Sequence, residues 1–421
     1  MDIRRTECSL QGLTNHDIDQ ALIESLLSFQ GSKVLLIPPD ITRYHSKAGY
    51  ITNRYYHLLK DIATVDILPA LGTHVPMTAE ELNDFFGDVP LDCFLIHDWR
   101  NDVISIGEVP ASFVSEITEG LWKQPVVCEI NQLILNGGYD LILSIGQVVP
   151  HEVIGMANHS KNILVGCGGK QTINGSHMIG AVYGMERMMG KDHTPVRQIL
   201  DYAMEHFLSH LPIVFVLTVT TAKQEEVFTH GLFIGESRST FEAAVQLSQE
   251  RNIDFVERPI QTCVVYLDPR EFKSTWLGNK AVYRTRMAIQ DGGELIVLAP
   301  GVTRFGEDET IDRLIRKYGY IGRDNILKQF HQETDLQNNM SAAAHLIHGS
   351  SDGRFTVTYA VKHLSQAEVE DVNFQYADYD QMIQYYNPKN LSYGFNTLPD
   401  GKDIYFIPNP ALGLWMDKSK F

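Results

Sequence analysis

Short apolar runs alternating with helical patterns constrain the fold of this chain more than any other feature. Lys33–Pro38 (KVLLIP) reads as a buried strand, Tyr50–Lys60 carries apolar residues at helical spacing, and Val65–Leu71 is a second strand. Thr78–Phe86 reads as a short helix that Thr78 and Glu81 can close with a capping box. Leu91–Ile96 and Asp140–Ile145 (DLILSI) are further strands, and helices follow at Ser176–Met189 and Thr194–Leu211. The second half continues the alternation, with strand Pro212–Thr221, helix Glu236–Glu250, strand Thr262–Leu267, helix Lys280–Gln290 stopped by Gly292-Gly293, and strand Glu294–Ala299. Glu307–Ser350 is mostly helical, and Arg354–Val361 and Asp403–Ile407 read as late strands. Strands that alternate with helices need crossover connections, so mainly parallel sheets flanked by helices are expected.

At 421 residues the chain is long enough for two domains. The expected division is 1–255 and 256–421, with the last strand free to return to the first domain and the active site in the cleft between them. The net charge of −17 argues against nucleic acid and against an anionic membrane surface, because both need a basic footprint. It leaves room for a small anionic substrate held by a few local cations. No apolar stretch approaches the roughly 18 residues of a membrane span. The first ten residues lack the order of a signal peptide. The five cysteines are scattered without a CxxC pair, so a reducing cytoplasm is the expected location. Homo-oligomerisation stays open.

In open α/β sheets, ligands bind beyond the carboxyl ends of the strands. Three polar clusters fall there. Pro39-Asp40-Ile41-Thr42-Arg43 follows the first strand, and Leu71-Gly72-Thr73-His74 follows the second. Val149-Pro150-His151 follows the strand at 140–145 and leads on through Lys161 to His177. Each residue alone also has a plain structural role. Asp40 can cap a turn, and Arg43 can form a surface ion pair of little worth. His74 and His151 can be satisfied loop histidines. Ser176 can cap a helix with His177 in its first turn. The stretch Val165-Gly166-Cys167-Gly168-Gly169-Lys170-Gln171 fits neither a Walker A loop nor GxGxxG. Its amides suit either a phosphate cradle or a tight turn.

Taken together, DxTR at 40–43, GTH at 72–74 and PH at 150–151 resemble the lactate racemase family of nickel-pincer enzymes. That family places a lysine ten residues after the PH histidine and a histidine sixteen residues further on. Here those positions are Lys161 and His177, a gapless agreement over 27 residues. Lys280, Gly292-Gly293 and Glu294–Ala299 extend the resemblance into the second half.

The resemblance implies a racemase or epimerase of 2-hydroxy acids whose cofactor is a nickel-pincer nucleotide. It implies that Lys161 is the cofactor tether and His177 the metal ligand. His74 and His151 would be the acid/base pair, Arg43 and Lys280 the carboxylate contacts, and Asp40 a cofactor or active-site contact. Partners would be the small anionic substrate and the cofactor-synthesis enzymes, and recombinant protein made without those enzymes is expected to be apo. The chemistry is coherent with these roles. The C2–H of a hydroxy acid is poorly acidic and leaves more readily as hydride, which needs an electrophilic cofactor and a base for the hydroxyl proton. One departure stands out: the family's GFSGGxK is Gly155-Met156-Ala157-Asn158-His159-Ser160-Lys161 here, so both central glycines are replaced. That added polarity suggests a sugar acid such as an aldonate in place of lactate. A nicotinamide-dependent dehydrogenase and a non-catalytic sugar-acid-binding protein are the competing readings. The former needs a dinucleotide fingerprint that the chain lacks.

Overall fold

Strand Lys33–Ile37 lies next to the edge strand in the first of two six-stranded sheets in a computed structural model, which describes residues 2–7, 9, 11–223 and 226–420. Val34 to Ile37 are all fully buried, as expected of a strand covered on both faces. Val34 and Leu36 pack with Ile51, Tyr55 and Leu59 of helix Ala48–Leu59, whose apolar positions recur at helical spacing. Helix Ala79–Phe86 starts with the expected Thr78–Glu81 capping box.

The chain divides into two compact units, Met1–Ile179 with Met188–Asn252, and Gly180–Arg187 with Ile253–Phe421. In the first unit the sheet order is Thr64–Ile67, Lys33–Ile37, Leu141–Gln147, Ile213–Lys223, Glu226–Gly235, Asp2–Thr6. The first four strands run parallel, and the last two add antiparallel. From Lys33–Ile37 the chain moves to one neighbour at Thr64–Ile67 and later to the other at Leu141–Gln147. This reversal puts a topological switch point between Lys33–Ile37 and Leu141–Gln147, and α/β sheets bind ligands beyond the carboxyl ends of such strands.

The second unit repeats the design. Its sheet order is Gln375–Asp378, Phe355–Val361, Ile289–Ala299, Ile260–Tyr266, Asp403–Ile407, Gly394–Thr397, parallel except for the final pair. Val264, Ile296, Leu298, Ala360 and Phe406 from its strands share one core. The last strand, Trp415–Asp417, pairs with Asp254–Val256 inside this unit and does not return to the first sheet. The fold is therefore α/β, with parallel-dominated sheets flanked by helices.

Three local expectations change. Leu91–Ile96 is not a strand: Leu91–Cys93 forms a tight helical turn, and Phe94 makes one isolated bridge to Ile67. Helix Lys280–Thr285 ends early, because Gly292-Gly293 lies inside strand Ile289–Ala299, with Gly292 at φ 77°. Ser176 caps nothing. Helix Lys170–Tyr183 begins six residues before it, and its hydroxyl donates to Ile173 O inside the helix. Among the described cysteines, Cys93, Cys128, Cys167 and Cys263 are free thiols, and Cys8 lies outside the described residues. Among the described residues no helix is long and apolar enough to cross a membrane.

Candidate active site

Six of the seven residues singled out in the sequence lie in the first unit, where a bond joins Asp40 to His74 and charge links Lys161 to Arg43, Asp40 and His177. Asp40 follows strand Lys33–Ile37 and caps the turn Ile41–Ser46 by accepting from Thr42 N–H. Its second oxygen is 2.6 Å from His74 Nδ1, beyond the neighbouring strand. The same carboxylate therefore serves as a turn cap and as a histidine partner. Burial pushes the Asp40 carboxyl up, but the bonds from His74 and Thr42 more than offset this and hold it below its usual value. An ionised carboxylate only accepts, so His74 Nδ1 carries the hydrogen and neutral His74 presents Nε2 as a base. The His74 side chain is 56% exposed, so this nitrogen is accessible to a ligand.

His151 has the opposite arrangement. It lies in the small antiparallel pair Pro150–His151 and Gly155–Met156, and it is buried. Val153 N–H donates to His151 Nδ1 at 3.1 Å. A backbone N–H cannot accept, so neutral His151 carries its hydrogen on Nε2. The two histidines are thus fixed in complementary tautomers, one an acceptor and the other a donor at Nε2.

Lys161 ends the loop after His151 and leads into a π-helical turn, Asn162–Gly166, a distortion frequent at functional sites. Asn162 Nδ2 donates to Ile37 O and to Ser144 Oγ, each at 3.0 Å, and so ties this turn to both strands of the switch point. Burial, then the nearby Arg43 charge, pushes the Lys161 amine down to about 8, against the opposing pull of Glu152 and Asp40. Arg43 thus acts on Lys161 through its charge. The rival Lys170 is exposed at the start of the next helix.

His177 sits in the middle of helix Lys170–Tyr183, not in its first turn. Its Nδ1 donates to Ile173 O at 2.7 Å, which leaves Nε2 as the lone-pair nitrogen. Burial holds the ring below the usual histidine value; the bond to Ile173 opposes this, and the Lys161 charge adds to it. A neutral imidazole with its second nitrogen anchored on a carbonyl is a ready metal ligand. Together with the amine of Lys161, this donor set fits a nickel-bearing nucleotide.

Lys280 opens helix Lys280–Thr285 in the second unit, with Nζ 5.9 Å from the Phe272 ring centroid.

The glycine-rich stretch is not a phosphate cradle. Glu129 accepts from Gln171 N–H at 2.8 Å and from its side-chain amide at 2.9 Å, so a protein carboxylate caps this helix start. A Cβ on Gly169 would lie 2.3 Å from Glu129 Oε2, which explains the glycine. His97 Nε2 holds Gly168 O at 3.1 Å.

The replaced glycines keep the glycine backbone. Asn158 and His159 have φ of 70° and 57°, in the left-handed region. Asparagine and histidine are among the few side-chain-bearing residues enriched there. The His159 ring lies against Phe215 and Phe241, with centroids 3.9 and 5.0 Å away. Three contributors escaped sequence reasoning: Glu152, which acts on both Lys161 and His177, Glu129, and the buried Arg197. Glu152 directly follows the PH pair, a proximity that could have drawn attention to it. Nothing in the sequence around Arg197 marks it.

Comparison with known proteins bears on the family and the fold. The lactate racemase N-terminal domain family matches residues 9–189. A crystal structure of a protein from Thermotoga maritima shares the fold with a TM-score of 0.81 at 23% identity, over 98% of this chain and 100% of that one. The lactate racemase apoprotein from Thermoanaerobacterium thermosaccharolyticum aligns with a TM-score of 0.69 at 18% identity, over 98% of this chain and 94% of that one. No curated protein sequence matches the chain. The family model's match spans every sequence motif from Asp40 to His177, so this part of the chain is similar to the lactate racemase N-terminal domain.

Proposed function

We propose that this protein is a racemase or epimerase that inverts C2 of a 2-hydroxy acid with a nickel-pincer nucleotide. The observation that carries the reading is the complementary fixing of His74 and His151. Inversion of an alcohol centre needs one group to take the hydroxyl proton and another to return it. Neutral His74, oriented by Asp40, offers a lone pair at Nε2 and would become imidazolium on taking the proton. His151 would return a proton only from its imidazolium form, with Nδ1 released from Val153 N–H and Glu152 Oε2 3.9 Å from it, so the two rings would start a turnover in opposite protonation states and exchange them.

When bound, the nickel-pincer nucleotide would supply the electrophilic carbon that takes hydride from C2 and gives it back. Lys161 would hold it covalently, since an amine lowered to about 8 has an appreciable neutral fraction near pH 7. His177 would ligate the nickel through Nε2. Arg43 would hold the substrate carboxylate bidentately, and Lys280 would add a second cation. A sugar acid is the preferred substrate class, because Glu152 and Asn158 bring acceptors and donors suited to additional hydroxyls. The protein would depend on cofactor-synthesis enzymes and work in the cytoplasm.

The test uses protein co-expressed with cofactor-synthesis enzymes and a panel of C2-deuterated 2-hydroxy acids that includes lactate and aldonates. Chiral chromatography reads inversion, and mass spectrometry reads the label. Inversion with deuterium retained supports the reading. Inversion with loss of label to solvent would replace hydride transfer by proton abstraction. Ligand binding without inversion in nickel-loaded protein would favour a non-catalytic sugar-acid-binding protein.

A further inference from the structure

The loop that ends in Lys161 is fastened from behind by one side chain. Arg197, on helix Pro195–Phe207, is 1% exposed. Its Nη2 donates to Met156 O at 2.7 Å and to Asn158 O at 3.1 Å, and its Nη1 donates to Ser160 Oγ at 2.6 Å. Ser160 passes the contact on, donating to Asp201 Oδ1 at 2.6 Å. The Arg197 guanidinium also lies 4.4 Å from the Phe241 ring that packs on His159. Arg238 closes the other side, bonding Asp201 at 2.9 Å and Asp192 at 2.6 Å.

Burying a guanidinium is costly unless its donors are matched. An ion pair alone would need only Asp201, yet Asp201 is 3.9 Å from Arg197 Nη1. The short bonds go instead to alternate residues of the loop, 156, 158 and 160. The planar fork of arginine suits this arrangement, and lysine could not span it. The clamp also brackets the two left-handed residues, Asn158 and His159, where the chain turns toward Lys161.

We propose that Arg197 is a positioning residue: it sets the backbone of Met156–Ser160 and thereby the place of the Lys161 amine. This rests on the reading of Lys161 as the cofactor attachment point. Arg197 also lowers the Lys161 amine through its charge, and losing that charge would by itself slow labelling at Lys161, so a rise in labelling, above all in Arg197→Lys, which keeps the charge, reports positioning.

The experiment is site-resolved acetylation of full-length apo protein with acetic anhydride, read by mass spectrometry. Lys161 is compared with the exposed Lys60. In Arg197→Gln that keeps its circular dichroism spectrum, the Lys161/Lys60 labelling ratio should rise about tenfold, the equivalent of one charge-assisted bond lost from a local opening. Arg197→Lys should give a smaller rise in the same direction, and Ser160→Ala, which removes one anchor, a smaller one again. A second arm measures the intact-mass adduct on Lys161 after co-expression with cofactor-synthesis enzymes, and Arg197→Gln should lose most of it. An unchanged ratio in folded Arg197→Gln overturns the proposal. If that variant does not fold, unchanged ratios in Arg197→Lys and Ser160→Ala overturn it. Wild-type protein with no adduct at Lys161 would overturn the attachment reading, and the labelling arm would still decide whether the clamp exists.

Discussion

Asp40 Oδ2 and His74 Nδ1 are 2.6 Å apart although the residues are separated by 34 positions and follow two adjacent strands. Parallel pairing of those strands brings their carboxyl ends side by side and so makes the contact. The carboxylate fixes both the tautomer and the direction of the ring.

Asp40→Asn should therefore lower kcat with little change in KM, by about a hundredfold, the lower end of what acid–base groups contribute. Steady-state kinetics of cofactor-loaded protein checks this. The bond also has a pH signature. Asp40 is held below its usual value, so its stabilising effect is complete above the ordinary carboxylate range and is lost as pH falls through the lowered value. Wild-type protein should lose more thermal stability than Asp40→Asn as the buffer is taken from about pH 5 to about pH 3.

The complementary tautomers can be read directly. In apo protein at neutral pH, nitrogen-15 NMR of labelled histidines should show His74 protonated at Nδ1 and His151 at Nε2. Finding the same tautomer at both would remove the basis for separate donor and acceptor roles.

Lys161 should behave as an unusually nucleophilic lysine. Its acetylation rate should reach half-maximum near pH 8, against about 10.4 for an exposed lysine. A lowered amine pKa means that the unfolded chain holds more protons between the folded and ordinary values. Stability should thus rise with pH from about 8 to 10.5 in wild type and stay flatter in Lys161→Met, as thermal melts will report.

His159 tests the left-handed backbone. Away from positive φ, alanine is usually more stable than glycine. At His159 the order should reverse, with His159→Gly more stable than His159→Ala by about 1 kcal/mol, and both below wild type because the ring contacts are lost. Urea unfolding measures the order.

Asp201 balances two arginines in a buried setting, bonding Arg238 and standing near Arg197. Asp201→Asn should cost about 3–5 kcal/mol, as expected when one member of a buried charge network is removed. Equilibrium denaturation will show it.

The architecture was readable where a run of residues carries one period. Val34–Ile37 and Leu295–Ala299 are buried throughout and so form plain apolar blocks. Leu91–Ile96 has the same composition but turns after three residues, and only the partner Ile67 decides what Phe94 does. The site divides in the same way. Asp40, His74 and His151 follow strand ends, and Lys161 and His177 stand at the motif spacings of the family the sequence resembles, so the resemblance exposes all five. Arg197 reaches its loop through tertiary packing from a helix 36 residues beyond Lys161, and no local pattern records that contact. Glu129 likewise caps a helix 41 residues away.

Asn158 and His159 keep the shape of a diglycine without the glycines. The lysine loop is then defined by two consecutive positive torsions rather than by two letters. A pattern search that insists on glycine at both places would pass over this chain, whereas one that admits asparagine and histidine there, with an arginine about 36 residues past the lysine to hold the loop, would gather relatives in which freedom of the backbone has been exchanged for a housed aromatic ring.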